Sequence, residues 1–237
     1  MAFLYETHIH TKEGSACGVS EGREYARKYL DLGYTGIIVT DHFFRGNCQA
    51  NRSLPWKEWV HEFCKGYDAA RNEGARLGLD VFFGWEETIG VNDYLIYGLN
   101  KEWLLEHPEV IDWSLQEQFE TVRRNGGCVV HAHPCRYANN NKRISVSKKC
   151  VDGVEVANSG NNKISDALAL TLAKELKVSA TAGSDVHRAA DIWPHVVYGV
   201  YLNKKMETIT DYVDAVLNNR ITGLKVPDGH FDYDTNS

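Results

Sequence analysis

No Cys-x-x-Cys pair occurs among the six cysteines, Cys17, Cys48, Cys64, Cys128, Cys135 and Cys150. A chain of 237 residues can bury a large core without such staples, so no disulfide framework is expected. No apolar run approaches the ~18 residues of a membrane-spanning helix. The longest runs are pieces such as Gly36–Val39 and Val196–Leu202. The opening Met-Ala-Phe-Leu-Tyr-Glu-Thr-His has no basic stretch followed by a long apolar one, so a secretory signal is not expected either. Basic excess is missing as well. The 26 Lys and Arg stand against 32 Asp and Glu, a formal charge of −6, which excludes a general nucleic-acid or anionic-membrane binder carrying a basic stripe. There is no Gly-x-Ser-x-Gly elbow, Walker A loop or Gly-x-Gly-x-x-Gly turn. These absences describe a reduced, cytoplasmic protein that relies on none of the common nucleophile or nucleotide motifs.

Strand-like and helical stretches alternate along the chain. Strands are expected at Phe3–His10, Gly36–His42, Val81–Thr88, Tyr94–Leu99, Cys128–His133, Gly153–Ala157, Ser179–Asp185 and Val196–Leu202. Helical pattern covers Glu21–Leu32, Pro55–Leu77, Trp103–Glu106, Leu115–Arg124, Ile164–Leu176 and Thr208–Asn218. Such alternation implies an α/β protein of parallel β-α units, arranged as an open sheet or a closed barrel. With no repeat, low-complexity tract or linker, residues 1–237 read as one domain. Phe44–Leu54 and Pro134–Lys149 read as polar loops, and the tail from Asp228 reads as frayed.

Histidine is the residue present in unusual number, ten in all, and its placement is informative. Residues two apart on a strand face the same side. His8 and His10 therefore share a face at the end of the first strand, with Glu6 expected beside them. The second strand ends in Asp41-His42, the third carries Glu86 and Glu87, the fifth carries His131 and His133, and a later one runs into Asp185 and His187. In a barrel of parallel strands the C-terminal ends converge on one mouth, so these side chains would meet there. Imidazole and carboxylate together suit Zn, Mn or Fe, and two such ions sharing a carboxylate can hydrolyse a phosphoester. His61 and His107 lie in helical contexts, His195 in a loop and His230 in the tail, and none is given a role.

The set Thr7-His8-Ile9-His10-Thr11, Val39-Thr40-Asp41-His42, Gly84-Trp85-Glu86, Ala132-His133-Pro134 and Gly183-Ser184-Asp185-Val186-His187 resembles the polymerase and histidinol phosphatase (PHP) superfamily. The match runs in order from residue 7 to residue 187. The resemblance implies a distorted (β/α)7 barrel holding two or three divalent ions at the C-terminal mouth of its strands. His8, His10, Glu86 and Asp185 would hold one ion. Glu86 would bridge to a second, shared with His133, and His42 and His187 would serve a third. Two departures stand out. Family members often have a His just before the Gly that ends the fourth strand, and Tyr94–Gly98 offers no imidazole, which leaves His131 as a substitute or none. Where relatives often place an Asp or His shortly after the second histidine, this chain has Ser15, Ala16 and Cys17, of which Cys17 is the strong metal ligand.

The function expected is a metal-dependent phosphoesterase acting on a small phosphorylated substrate. A metal-activated hydroxide would attack phosphorus, and Asp185 or His187 would protonate the leaving oxygen. Arg136 and Arg188 are placed to grip phosphate oxygens with a guanidinium fork. Two rivals remain open: a barrel hydrolase that polarises an amide or lactone carbonyl with the same metals, and a non-catalytic module stabilised by metal.

Overall fold

The computed structural model describes residues 2–136, 149–193 and 197–232. Its strands are β1 (Phe3–Ile9), β2 (Gly36–Val39), β3 (Asp80–Ile89), β4 (Asn92–Tyr97), β5 (Cys128–Ala132), β6 (Gly153–Asn158), β7 (Ser179–Gly183), β8 (Gly199–Leu202) and β9 (Gly223–Lys225). The helices are α1 (Gly22–Asp31), α2 (Trp56–Phe63), α3 (Lys65–Leu77), α4 (Lys101–Glu106), α5 (Leu115–Arg124), α6 (Lys163–Leu176) and α7 (Ile209–Leu217). All strands join one nine-stranded sheet in the order β7-β6-β5-β4-β3-β2-β1-β8-β9. Past the end of β7 the chain returns to β1. There the His10 N–H donates to the Val186 carbonyl (3.0 Å) and the Asp185 N–H donates to the His8 carbonyl (2.7 Å). These bonds close β1 to β7 into the expected distorted α/β barrel at one mouth, while β8 and β9 extend the sheet beyond β1.

Not every strand is parallel, contrary to the simple β-α reading. β4 pairs antiparallel with both β3 and β5. The cause is a two-residue hairpin: Ile89 pairs with Asn92, and Gly90 takes φ 66, a conformation glycine adopts without a Cβ penalty. Reversal of β4 puts Asp93 at the mouth and Tyr97 deep in the barrel. The helix expected over Pro55–Leu77 is two helices that break at Cys64, and α3 begins with Gly66 pressed against Gly22 and Thr11. The last expected strand starts only at Gly199. Of the expected loop Pro134–Lys149, residues 137–148 lie outside the described residues, as do His195 and residues 233–237.

Local sequence explains the packing. α1 opens with a capping box, Glu21 and Glu24 each accepting from the other's backbone N–H, and buries Tyr25, Ala26 and Tyr29 on one stripe. That stripe meets Ile37, Val39 and Ala70 outside β1 and β2. Another outer cluster stacks Trp59 and Phe63 of α2 against Phe43 and Trp85. Inside the barrel, Tyr5, Leu95, Tyr97 and Val130 pack on Tyr212, Val213 and Val216 of α7, which plugs the end opposite the mouth. Each such buried side chain contributes roughly 1.5–3 kcal/mol, so the polar mouth rests on an apolar floor. No helix among the described residues is long and apolar enough to cross a membrane.

Candidate metal centre

The first ligand strand contains an irregularity that the alternation rule misses. The register of β1 against β2 shifts between Glu6 and Ile9, a β-bulge that reverses which side chains face inward. Tyr5 enters the barrel core, yet His8 and His10 reach the mouth, and Glu6 points outward. The Glu6 carboxylate accepts the N–H groups of Thr7 (2.8 Å), His8 (2.9 Å) and Ser184 (2.9 Å), the Tyr29 hydroxyl (2.9 Å) and the Ser184 hydroxyl. It therefore locks the bulge and the β7 end together and does not join the cluster, contrary to the expectation that it would face it.

His131 and His133 also part company. His131 faces outward with Tyr94, its ring 4.8 Å from the tyrosine ring, and neither ring nitrogen meets a hydrogen-bond partner among the described residues. His133 follows the strand end at φ 31, and this left-handed turn aims its Nε2 at Glu86 Oε1 (3.1 Å). Asp185 is turned in the same way, at φ 53. Side chains expected from separate strand ends thus do converge, two of them through backbone conformations that non-glycine residues seldom adopt.

Three groups of donor atoms result, each with all atoms within 4.8 Å of one another: His8, His10 and Asp185; His8, Glu86 and His133; and His10, His42 and His187. The last has one more imidazole than the sequence assigns to it. Glu86 lies at the centre, Oε1 3.4 Å from His8 Nε2 and Oε2 3.5 Å from His10 Nε2 and 2.7 Å from His42 Nδ1. Asp185 Oδ1 is 3.0 Å from His10 Nε2 and 3.6 Å from His8 Nε2.

Proton assignment tests whether cations fit. His8 Nδ1 donates to Glu155 Oε1 (2.9 Å). His10 Nδ1 donates to the Ser15 hydroxyl (3.1 Å), whose own proton goes to Asp41 (2.7 Å). Each histidine is thereby held in the tautomer that leaves the Nε2 lone pair free, and the two Nε2 atoms face each other at 3.1 Å. Two lone pairs at that distance repel unless a cation or a proton lies between them. Burial, with His42 nearby, lowers the His10 pKa to about 3, so His10 is neutral. Burial opposes charge on His8 as well, but Glu155, Asp185 and Glu86 outweigh it and raise its pKa well above the usual range. A proton and a divalent cation thus compete for His8 Nε2. Glu86 Oε2 and His42 Nδ1 are buried and close but misaligned for a hydrogen bond, as atoms aimed at a common third partner would be. Although burial opposes it, Glu86 is held ionised by His42, His8 and His133, and Asp185 by His8, His10 and Arg136. Against burial, the neighbouring anions raise the pKa of His8, His42 and His187, so a cation must displace protons there; imidazoles freed in this way, with ionised carboxylates, fit Zn, Mn or Fe(II).

Cys17 lies beside the His10–His42–His187 group. Burial raises its pKa, but hydrogen bonds with His187 and His42 outweigh burial and bring it down to about 6. Arg136 is 2.7 Å from Asp185 Oδ2 through Nη1, bonds Asn161 Oδ1 through Nε (2.9 Å), and meets Asn158 Oδ1 through Nη2. These three bonds engage three of its five N–H groups, and no described residue is bonded to the other two. Arg188 is exposed, and no described residue forms an ion pair with it. His61 is exposed on α2, and His107 stacks on Trp103 while bonding Glu109, in keeping with no role for either.

Sequence reasoning passes over several residues of the site. Glu155, in the apolar strand Gly153–Asn158, binds His8, the His133 N–H (3.1 Å) and the Asn158 amide (2.8 Å). Its signal is a fully buried charge in an otherwise apolar strand. Asp93, brought to the mouth by the reversal of β4, has its pKa raised by burial and then by the neighbouring Glu86. Ser15 and Asp41 orient His10, and Gly14 has no Cβ because the Asp41 carboxylate fills that space.

No protein-family profile and no curated protein sequence matches this chain. Solved structures do. A two-domain protein from Bacteroides vulgatus, containing a predicted PHP-like metal-dependent phosphoesterase, superposes with a TM-score of 0.70 at 14% identity over 96% of this chain. This chain spans 65% of that protein. A Bifidobacterium adolescentis protein, assigned only by inference as a metal-dependent phosphoesterase, matches at TM-score 0.59 and 18% identity, covering 92% of this chain and 96% of its own. An amidohydrolase from Chromobacterium violaceum, with bound sulfate and no metal, matches at TM-score 0.55 and 15% identity over 92% of this chain and 96% of its own. The chain therefore has the PHP-like fold to which its motifs point. At these identities the likeness speaks for the fold, and the chemistry has to be argued from the site.

Proposed function

We propose that the chain is a divalent-metal-dependent hydrolase whose substrate is a small phosphoester. The observation that carries this reading is the pair of Nε2 atoms on His8 and His10 that face each other 3.1 Å apart, each ring fixed by a hydrogen bond at Nδ1. His8, His10, His42, Glu86, His133, Asp185 and His187 would hold two or three ions, with Glu86 shared. Those ions, when bound, activate water and neutralise charge on phosphorus. The chain's own residues do the rest. Arg136, held beside Asp185, would offer its remaining N–H groups to a phosphate oxygen. His187 sits at the rim, its side chain 32% exposed and its Nδ1 donating to the Asp185 carbonyl (2.8 Å), so its Nε2 either holds the third ion or, with only two ions bound, carries a proton to the leaving oxygen. Asp185 has Oδ2 on Arg136 and Oδ1 towards the histidines, so it acts as an ionised ligand and not as the acid. A cleft of about 340 Å³ opens beside Asp185 and His187, walled by Val186, Ile192, Val197 and Asp191, and would take the body of the substrate.

A carbonyl hydrolase is the second reading, favoured by the amidohydrolase that shares the fold. A panel of phosphomonoesters and diesters, run beside amides and lactones on protein reconstituted with Mn(II), Zn(II) or Fe(II), separates the two. Phosphoester turnover and at least two ions per chain by plasma mass spectrometry are expected. Stoichiometry that stays at one or below, or turnover confined to carbonyl substrates, overturns the proposal.

The thiol of Cys17 gives a separate test. Cobalt(II) protein should show sulfur-to-metal charge-transfer absorption at neutral pH that fades on acidification, because protons displace a metal from a thiolate. In Cys17→Ser the band should vanish and one ion only should be lost on dialysis. Absence of the band in the unaltered protein at neutral pH would remove Cys17 from the ligand set.

A further inference from the structure

The C-terminal segment, which reads as a frayed tail in the sequence, delivers a buried residue. His230 is 4% exposed, and its Nε2 donates to Asp166 Oδ2 at 2.7 Å. Asp166 projects inward from the first turn of α6 and is fully buried. Its Oδ1 accepts from the Asn161 amide (2.8 Å), and its Oδ2 also accepts the Asn158 backbone N–H (3.3 Å). Asn161 and Asn158 in turn present their amide oxygens to Nε and Nη2 of Arg136. Arg136 then bonds Asp185, whose other oxygen faces His10 and His8. An unbroken run of hydrogen bonds therefore leads from the tail to a proposed metal ligand.

We infer that His230 is a positioning residue for the metal centre: through Asp166 it orients the Asn161 amide and anchors the Asn158 backbone, the two residues that hold Arg136, and so sets the angle at which Asp185 faces the cations. The amide of Asn161 can turn either way by itself. With Asp166 accepting from its nitrogen, only its oxygen can face Arg136. Asp166 keeps Oδ1 on the Asn161 amide only while Oδ2 is held in place, and His230 is the side chain that donates to Oδ2. Asp185 depends on such control because it sits at φ 53, a strained conformation that its surroundings have to hold in place. The inference rests on the metal-hydrolase reading for its purpose, but not for its geometry.

The test compares His230→Phe, which keeps a ring against Tyr198 and Phe231 but has no donor, with His230→Gln, whose amide nitrogen reaches the same place. Phe231→Leu serves as a packing control. The first readout is the Arg136 Nε–H resonance in ¹⁵N-labelled protein without metal, assigned by its loss in Arg136→Lys. It should be slowly exchanging in the unaltered chain, broadened in His230→Phe, and restored in His230→Gln. The second is Mn(II) affinity by calorimetry, expected to fall about 5- to 10-fold in His230→Phe, below the ~10–100-fold typical of a direct outer-shell partner. An Arg136 signal unaffected by His230→Phe, or lost equally in Phe231→Leu, overturns the inference. If the unaltered chain binds no Mn(II), the metal-hydrolase reading falls, while the Arg136 signal still decides the relay.

Discussion

Replacing His10 by Ala should abolish metal-dependent hydrolysis and strip the protein of at least one ion, whereas His61→Ala should leave both untouched. His10 Nε2 belongs to two of the three donor groups, so its loss damages both together. Losing an outer-shell partner typically weakens a metal site by ~10–100-fold, so losing a shared ligand should exceed ~100-fold in turnover. His10 is fully buried, and Ala there leaves a cavity that lowers stability by about 2–4 kcal/mol, while the Ser15 hydroxyl keeps its bonds to Asp41 and the His42 N–H. Thermal denaturation therefore accompanies the assay. A variant that remains folded, keeps its metal and turns over substrate within a few-fold of the unaltered chain would show that the cluster is not the active site. Equal losses in His61→Ala would place the site elsewhere, since His61 is exposed on α2.

What sequence could reveal here follows from geometry. The proposed metal ligands stand at strand ends, and a strand end is visible as the place where an apolar run meets His, Asp or Glu. His8, His10, His42, Glu86, His133, Asp185 and His187 are therefore all legible, and the barrel follows from their convergence. Face is less legible than position. Strict alternation puts Glu6 with His8 and His131 with His133, but one bulge on β1 and one left-handed residue after β5 reverse both pairings. A bulge depends on what fills it, and the fillers, Tyr29 and Ser184, come from distant parts of the chain. The reversal of β4 has a local cause in Gly90-Val91, a turn signal that β-α alternation obscures. Partners beyond the ligands are the least legible. Glu155 shows only as a lone charge in an apolar strand, and nothing in the local sequence says what it bonds or that Asp166 and His230 are buried, because their partners are fixed only when the barrel closes.

Glu155→Gln is the sharpest test of that outer layer. The substitution keeps size and shape and removes one charge, yet Glu155 has three donors to satisfy: His8 Nδ1–H on Oε1, and the His133 N–H and Asn158 amide on Oε2. A glutamine offers one oxygen and one NH₂ group, so one side must set donor against donor. If the oxygen stays with His8, the NH₂ group confronts the His133 N–H and the Asn158 amide. Asn158 cannot turn over to help, because its own oxygen already accepts from Arg136 and from the Gly160 N–H (2.9 Å). If the oxygen turns to His133, His8 loses the acceptor that fixes its tautomer, and its proton can move to Nε2, where the cation should bind. Either arrangement strains the centre, and the buried donor left unmet costs about 1–3 kcal/mol. Metal affinity and turnover should each fall by ~10–100-fold, as for other histidine-orienting carboxylates. The loss should be larger in Glu155→Ala, which also opens a cavity beside Gly183. Calorimetric titration with Mn(II), run beside the hydrolysis assay and a melting curve, reads all three effects. A Glu155→Gln protein that binds Mn(II) as tightly as the unaltered chain would mean that His8 Nε2 is not a ligand, and the proposed dinuclear centre would have to be rebuilt around His10, His42 and His187.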